Sequence, residues 1–99
     1  MLEKVLEHKA CEYIRDLTGL AFKWVSPGMP GVPDRIFILP GPRIIFCEFK
    51  RPGKPDALSP RQIKFRRKLI AMGCDVWVTD DMEKFKDAVY RLMKSGEAQ

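Results

Sequence analysis

The chain has 99 residues, with 18 Lys and Arg against 13 Asp and Glu, a formal net charge of +5 and 45% hydrophobic residues. That length fits one domain, residues 1–99, and leaves no room for a second independent core. No apolar run approaches the roughly 18 residues of a membrane helix, and the acidic N-terminal stretch is not a signal peptide, so the cytoplasm is the expected location.

The first expected element is a helix over residues 3–17. Leu2, Leu6, Ala10, Ile14 and Leu17 recur at three- and four-residue steps, the spacing of one helical face, and Gly19 supplies a stop. Leu20 to Val25 reads as a strand, and residues 26–33, rich in Pro and Gly, as a loop. Ile36–Leu39 and Ile44–Cys47 are apolar, β-branched and aromatic runs around Pro40-Gly41-Pro42-Arg43. They are expected to form a hairpin of two buried strands.

A second loop, Arg51 to Leu58, leads to Ser59-Pro60, an N-cap followed by a proline in the first turn. This helix runs to about Met72, with Ile63, Leu69 and Ile70 inward and Gly73 ending it. Cys74–Thr79 is the fourth strand. A capping pattern at Asp80–Glu83 then opens a last helix with Phe85, Ala88, Val89 and Leu92 as its apolar stripe, ending near Gly96. The order α-β-β-β-α-β-α gives a mixed α/β fold. A right-handed crossover makes the third and fourth strands parallel, and one helix is expected to cover each face of the four-stranded sheet.

Charge is unevenly distributed. Residues 1–49 are net zero and residues 69–99 net −2, whereas residues 50–68 are net +7, carrying Lys50, Arg51, Lys54, Arg61, Lys64, Arg66, Arg67 and Lys68 against Asp56. Such a stripe suits a nucleic-acid backbone, because neutralising phosphates releases counterions. Three well-separated cysteines, no CxxC pair and the single His8 argue against a structural zinc site. Trp24 and Trp77 fall in strands, where packing is the expected role.

The chemistry converges at one end of the hairpin. Glu48 and Lys50 are two residues apart on a strand and share a face. With the turn centred on Gly41-Pro42, paired residue numbers sum to 82 or 83, which sets Asp34 opposite Glu48 or Phe49. Two carboxylates at the end of an apolar sheet are costly unless neutralised. A divalent cation does this, and hard oxygen ligands select magnesium or manganese. The rival assignment for these residues is a plain ion pair, Asp34 with Lys50 or Glu48 with Arg35.

Gly31-Val32-Pro33-Asp34-Arg35, Phe46-Cys47-Glu48-Phe49-Lys50-Arg51-Pro52-Gly53 and Leu58-Ser59-Pro60-Arg61-Gln62 together resemble the virus-type replication-repair nuclease (VRR-NUC) domain of the PD-(D/E)XK nuclease superfamily, in its stand-alone phage form. The resemblance covers nearly the whole chain. It implies a Mg2+- or Mn2+-dependent DNA endonuclease acting on branched DNA such as four-way (Holliday) junctions, and a homodimer, with no small-molecule cofactor. It assigns metal binding to Asp34, Glu48 and the backbone carbonyl of Phe49, a catalytic role to Lys50, and a supporting or DNA-contacting role to Gln62. A first-helix glutamate completes the metal site; Glu3, Glu7 and Glu12 compete, and counting back from the helix stop favours Glu7. Lys50, Arg51, Lys54, Arg61, Lys64, Arg67 and Lys68 are the expected DNA-backbone contacts. The rival function is a non-catalytic nucleic-acid-binding module using the same basic segment.

Overall fold

The computed structural model describes residues 2–97. Helix α1 (Glu3–Asp16) precedes β1 (Leu20–Lys23), β2 (Arg35–Leu39) and β3 (Arg43–Phe49); α2 (Pro60–Ala71), β4 (Asp75–Thr79) and α3 (Met82–Glu97) follow. The expected order holds throughout. The sheet runs β1-β2-β3-β4, antiparallel except for the parallel β3–β4 pair that α2 bridges. Among the described residues no helix is long and apolar enough to cross a membrane.

Strand register follows from the turn. Arg35 pairs with Cys47 and Leu39 with Arg43, so paired numbers sum to 82 and Pro40–Pro42 form a three-residue turn. Continued by one step, that register sets Asp34 opposite Glu48. Alternation then sorts the sheet. Phe37, Leu39, Ile45, Cys47 and Phe49 point to one face and are buried. There Phe85 of α3 packs its ring against Phe37, Phe49 and Trp77, and Leu6, Ala10, Cys11 and Ile14 of α1 close the core.

The helix ends show why the chain turns where it does. After α1 the αL residue is Thr18 (φ 64°), not Gly19. Thr18 N–H donates to the Arg15 carbonyl and Gly19 N–H to that of Ile14, both at 2.9 Å, the paired bonds of a Schellman end. Gly19 is needed for another reason: a Cβ there would lie 2.8 Å from the Ile38 carbonyl oxygen and from Ile14 Cγ2. Helix and sheet touch through its bare Cα. Helix α2 begins as expected. Ser59 accepts from Gln62 N–H, the Gln62 side chain accepts from Ser59 N–H, and Gly73 (φ 88°) ends the helix. Asp81 caps α3 by accepting from Lys84 N–H at 3.0 Å, and α3 continues through Gly96 to Glu97.

Coverage of the sheet departs from expectation. Two helices, α1 and α3, share one face, so only the 12-residue α2 remains for the other. It lies over β4, while Trp24 packs against Phe46 and Phe65 of α2 packs against Trp24. The second face of the hairpin is therefore not fully buried, and Leu20, Phe22 and Ile44 are about half exposed. For the same reason Ile63 and Ile70, expected inward, are exposed, and of the three only Leu69 is buried. Leu2 precedes the first turn of α1 and is also exposed, outside the apolar stripe it was expected to open.

Candidate active site

Glu48 leaves β3 on the face opposite Phe49. Core packing of Phe49 thus fixes the strand that carries Glu48 and Lys50. Asp34 is held at both its backbone and its side chain. Its carbonyl accepts from Trp24 N–H at 3.1 Å, and its Oδ2 accepts from Phe49 N–H at 2.9 Å. A residue's N–H and C=O leave a strand on the same edge, so the Phe49 carbonyl faces the Asp34 side. Three oxygen donors consequently gather at the sheet end: Asp34, Glu48 and Phe49 C=O.

Glu48 is only 7% exposed, and its carboxyl is pushed up to about 8. Burial is the main cause, followed by a hydrogen bond with Asp34 and the Asp34 charge, against an opposing pull from Lys50. Neither simple ion pair forms. Arg35 Nε bonds Glu7 Oε2 at 2.5 Å, and Lys50 Nζ donates to Gln62 Oε1 at 3.1 Å. The same Oε1 accepts from Ser59 N–H at 2.9 Å, so the cap of α2 and the lysine share one acceptor. Gly31 (φ 89°) brings the preceding loop against that cap: a Cβ there would sit 2.5 Å from the Arg61 carbonyl oxygen.

Among the first-helix glutamates, Glu7 is turned to Arg35. It is Glu3 whose charge adds to the upward push on Glu48, and Glu12 pairs with His8 at 2.5 Å. Among the described residues no group of three or more His, Cys, Asp or Glu converges as a complete metal cage. Two carboxylates and a carbonyl nonetheless fit a hard cation such as magnesium, which commonly takes one or two protein carboxylates and fills its remaining positions with water and phosphate oxygens. The uncompensated acid pair is the feature such a cation would relieve.

No family model matches the sequence. A curated relative, "Putative nuclease p44" of Acyrthosiphon pisum secondary endosymbiont phage 1, is 40% identical over 81 residues, covering 82% of this chain and 85% of the relative. A solved VRR_NUC domain superposes with a TM-score of 0.83 at 26% identity, covering 89% of this chain and 94% of that one. The chain belongs to the VRR-NUC family of nucleases.

Around this VRR-NUC core the basic segment splits into distinct surfaces. Arg61, Lys64 and Lys68 line a cleft of about 210 Å³ with Met29, Pro30 and Phe65. Arg51, Lys54 and Arg67 are exposed elsewhere, while Arg66 is half-buried with its Nε lacking a hydrogen-bond partner. The sequence marked Asp80 only as part of the capping pattern of α3, a role that Asp81 fills. Asp80 is buried, accepts from Gly53 N–H at 2.8 Å and from Lys84 Nζ at 3.1 Å, and those bonds, the Gly53 amide first, hold its carboxyl below the usual range. Asp80 thereby ties the loop after Lys50 to the end of β4. The three cysteines are free; burial pushes the Cys11 and Cys47 thiols up, consistent with packing roles.

Proposed function

We propose that this VRR-NUC nuclease is a Mg2+- or Mn2+-dependent endodeoxyribonuclease acting on branched DNA such as four-way junctions. The observation that carries the reading is the buried Glu48 carboxyl beside Asp34, with the nearby cations Arg35 and Lys50 engaged elsewhere. A non-catalytic DNA binder gains nothing from carboxylates that would repel phosphate.

In this reading Asp34, Glu48 and the Phe49 carbonyl hold the cation. Glu7, the expected first-helix acid, is engaged by Arg35, and Glu3 is a first-helix acid whose charge reaches Glu48. When bound, the cation supplies charge to the phosphodiester oxygens and lowers the pKa of a coordinated water. Lys50, aimed by Gln62, orients the attacking water or binds a phosphate oxygen. No covalent enzyme intermediate is required. The Arg61–Lys68 face and the Arg51–Lys54 loop hold backbone phosphates, so recognition is of DNA shape. A homodimer, with the second copy on the uncovered Leu20, Phe22 and Ile44 face, would present two sites to the two strands of a junction. The place of action is the cytoplasm.

End-labelled four-way junction, flap and linear duplex DNA are incubated with wild type or Asp34→Ala in Mg2+, Mn2+ or EDTA. Cleavage that requires both metal and Asp34, with paired cuts in the junction, is the expected result. Binding of every substrate without cleavage in either metal overturns the catalytic reading in favour of a binding module.

A further inference from the structure

Residues 1–49 are neutral in sum, yet the fold separates their charges. On α1, Lys4, His8, Cys11 and Arg15 recur at steps of four, three and four, the spacing of one helical stripe. Lys23 of β1 pairs in register with Arg35 of β2, so both lie on the α1 side of the sheet. Together these elements line an open cleft of about 330 Å³. Its sole acid is Glu7, and that carboxylate is taken by Arg35. Lys4, Arg15 and Lys23 are exposed and enter no ion pair among the described residues. The Cys11 thiol at the cleft is pushed up by its burial and pulled down by Arg35, Arg15 and Lys23 from three elements, with Glu7 opposing them.

We infer that this cleft is a second backbone-phosphate site, which receives the DNA that continues past the scissile phosphate on the side away from α2. Its position supports this: Arg35 directly follows Asp34 in the chain, and Lys4 directly follows Glu3, whose charge reaches Glu48. The acid pair lies at the sheet end on the α2 face, and the α1–β1 cleft opens on the other face beside that same end, where Lys23 pairs with Arg35. A substrate bent or branched at the cleaved bond occupies both. The inference rests on the proposed action on DNA and specifies how that substrate is held.

The test measures binding of a labelled four-way junction and a linear duplex as salt is raised, with Ca2+ replacing Mg2+. Arg15→Ala with Lys23→Ala is compared with Lys64→Ala with Arg67→Ala on α2, and with Lys86→Ala with Arg91→Ala on α3 as a charge-matched control. Each lost phosphate contact lowers the salt slope by about 0.9. Between about 50 and about 200 mM salt, wild-type affinity for the junction should therefore fall about ten-fold more than that of the Arg15/Lys23 variant. The control pair should follow wild type. If the α2 pair flattens the slope and the Arg15/Lys23 pair matches the control, the second site is wrong and the nuclease reading stands. If wild type binds neither DNA, or neither basic pair alters the slope, the DNA-binding reading falls and the second site falls with it.

Discussion

Glu48→Gln should stabilise the metal-free protein, and increasingly so as pH rises above about 4.5. In the unfolded chain Glu48 ionises near 4.5, whereas in the fold its carboxyl holds a proton up to about 8, because burial and Asp34 oppose a second negative charge. Below the lower value the group is protonated in both states and costs nothing. As pH rises toward 8 the unfolded chain releases the proton and the fold does not, so stability is progressively lost; above about 8 the full penalty is present. At 1.36 kcal/mol per pH unit the ceiling is about 5 kcal/mol. Because water can relax around the buried group, about 1–3 kcal/mol is the expected size. The glutamine amide still donates to Asp34 and never ionises. Thermal melts in EDTA from about pH 5 to about pH 9 should show the variant gaining on wild type by roughly 4–24 °C over that span, at the usual 4–8 °C per kcal/mol for a domain of this size. Added Mg2+ should raise the wild-type midpoint and leave the variant unmoved. A gap between the two proteins that is constant across the pH range would refute the buried acid pair.

Two further substitutions separate positioning from folding. Gln62→Ala removes both the reciprocal cap of α2 and the acceptor of Lys50 Nζ. It should cost about 1 kcal/mol of stability and reduce kcat about ten-fold or more, within the range for a misplaced catalytic group. Ser59→Ala should cost similar stability and leave kcat near wild type, so equal kcat losses in the two variants would contradict a role for Gln62 at Lys50. Gly31→Ala drives a Cβ into the Arg61 carbonyl at a positive φ. It should cost about 2–4 kcal/mol, whereas Gly28→Ala, with open space around it, should change the melting midpoint little. Equal melting midpoints for the two alanine variants would show that the loop does not rest on α2.

Where local pattern controls geometry, the sequence was sufficient. Strand alternation and turn length narrowed the register to sums of 82 or 83, and the structure's three-residue turn selects 82, the sum that sets Asp34 opposite Glu48; that arithmetic needs no knowledge of the helices. The choice among Glu3, Glu7 and Glu12 needed it. One helical turn shifts a side chain by about 5.4 Å along the axis, and where α1 sits on the sheet depends on Gly19 letting Ile14 of the helix and Ile38 of the sheet come close. Counting from the helix stop cannot supply that placement. Ile63 and Ile70 misled for a related reason: apolar residues recur on α2, but a short helix over β4 buries chiefly Leu69.

Charge was the least legible property, because a count along the chain averages what a helix separates. Asp16 lies on a different flank of α1, lining another cleft with Glu12, which pairs with His8 at the edge of the stripe, while Lys4, His8 and Arg15 share the stripe above Cys11. The steps of four, three and four were present in the sequence but carry no meaning until β1 and β2 add Lys23 and Arg35 from the adjoining sheet. A net-zero segment can thus carry a cationic cleft of its own. For an acid pair at the end of a sheet this matters directly. Carboxylates repel the backbone they must cleave, and cations on α2 alone would draw DNA to one side of them. Cations on both sides would draw the backbone across Asp34 and Glu48, where a bound cation can offset the remaining repulsion.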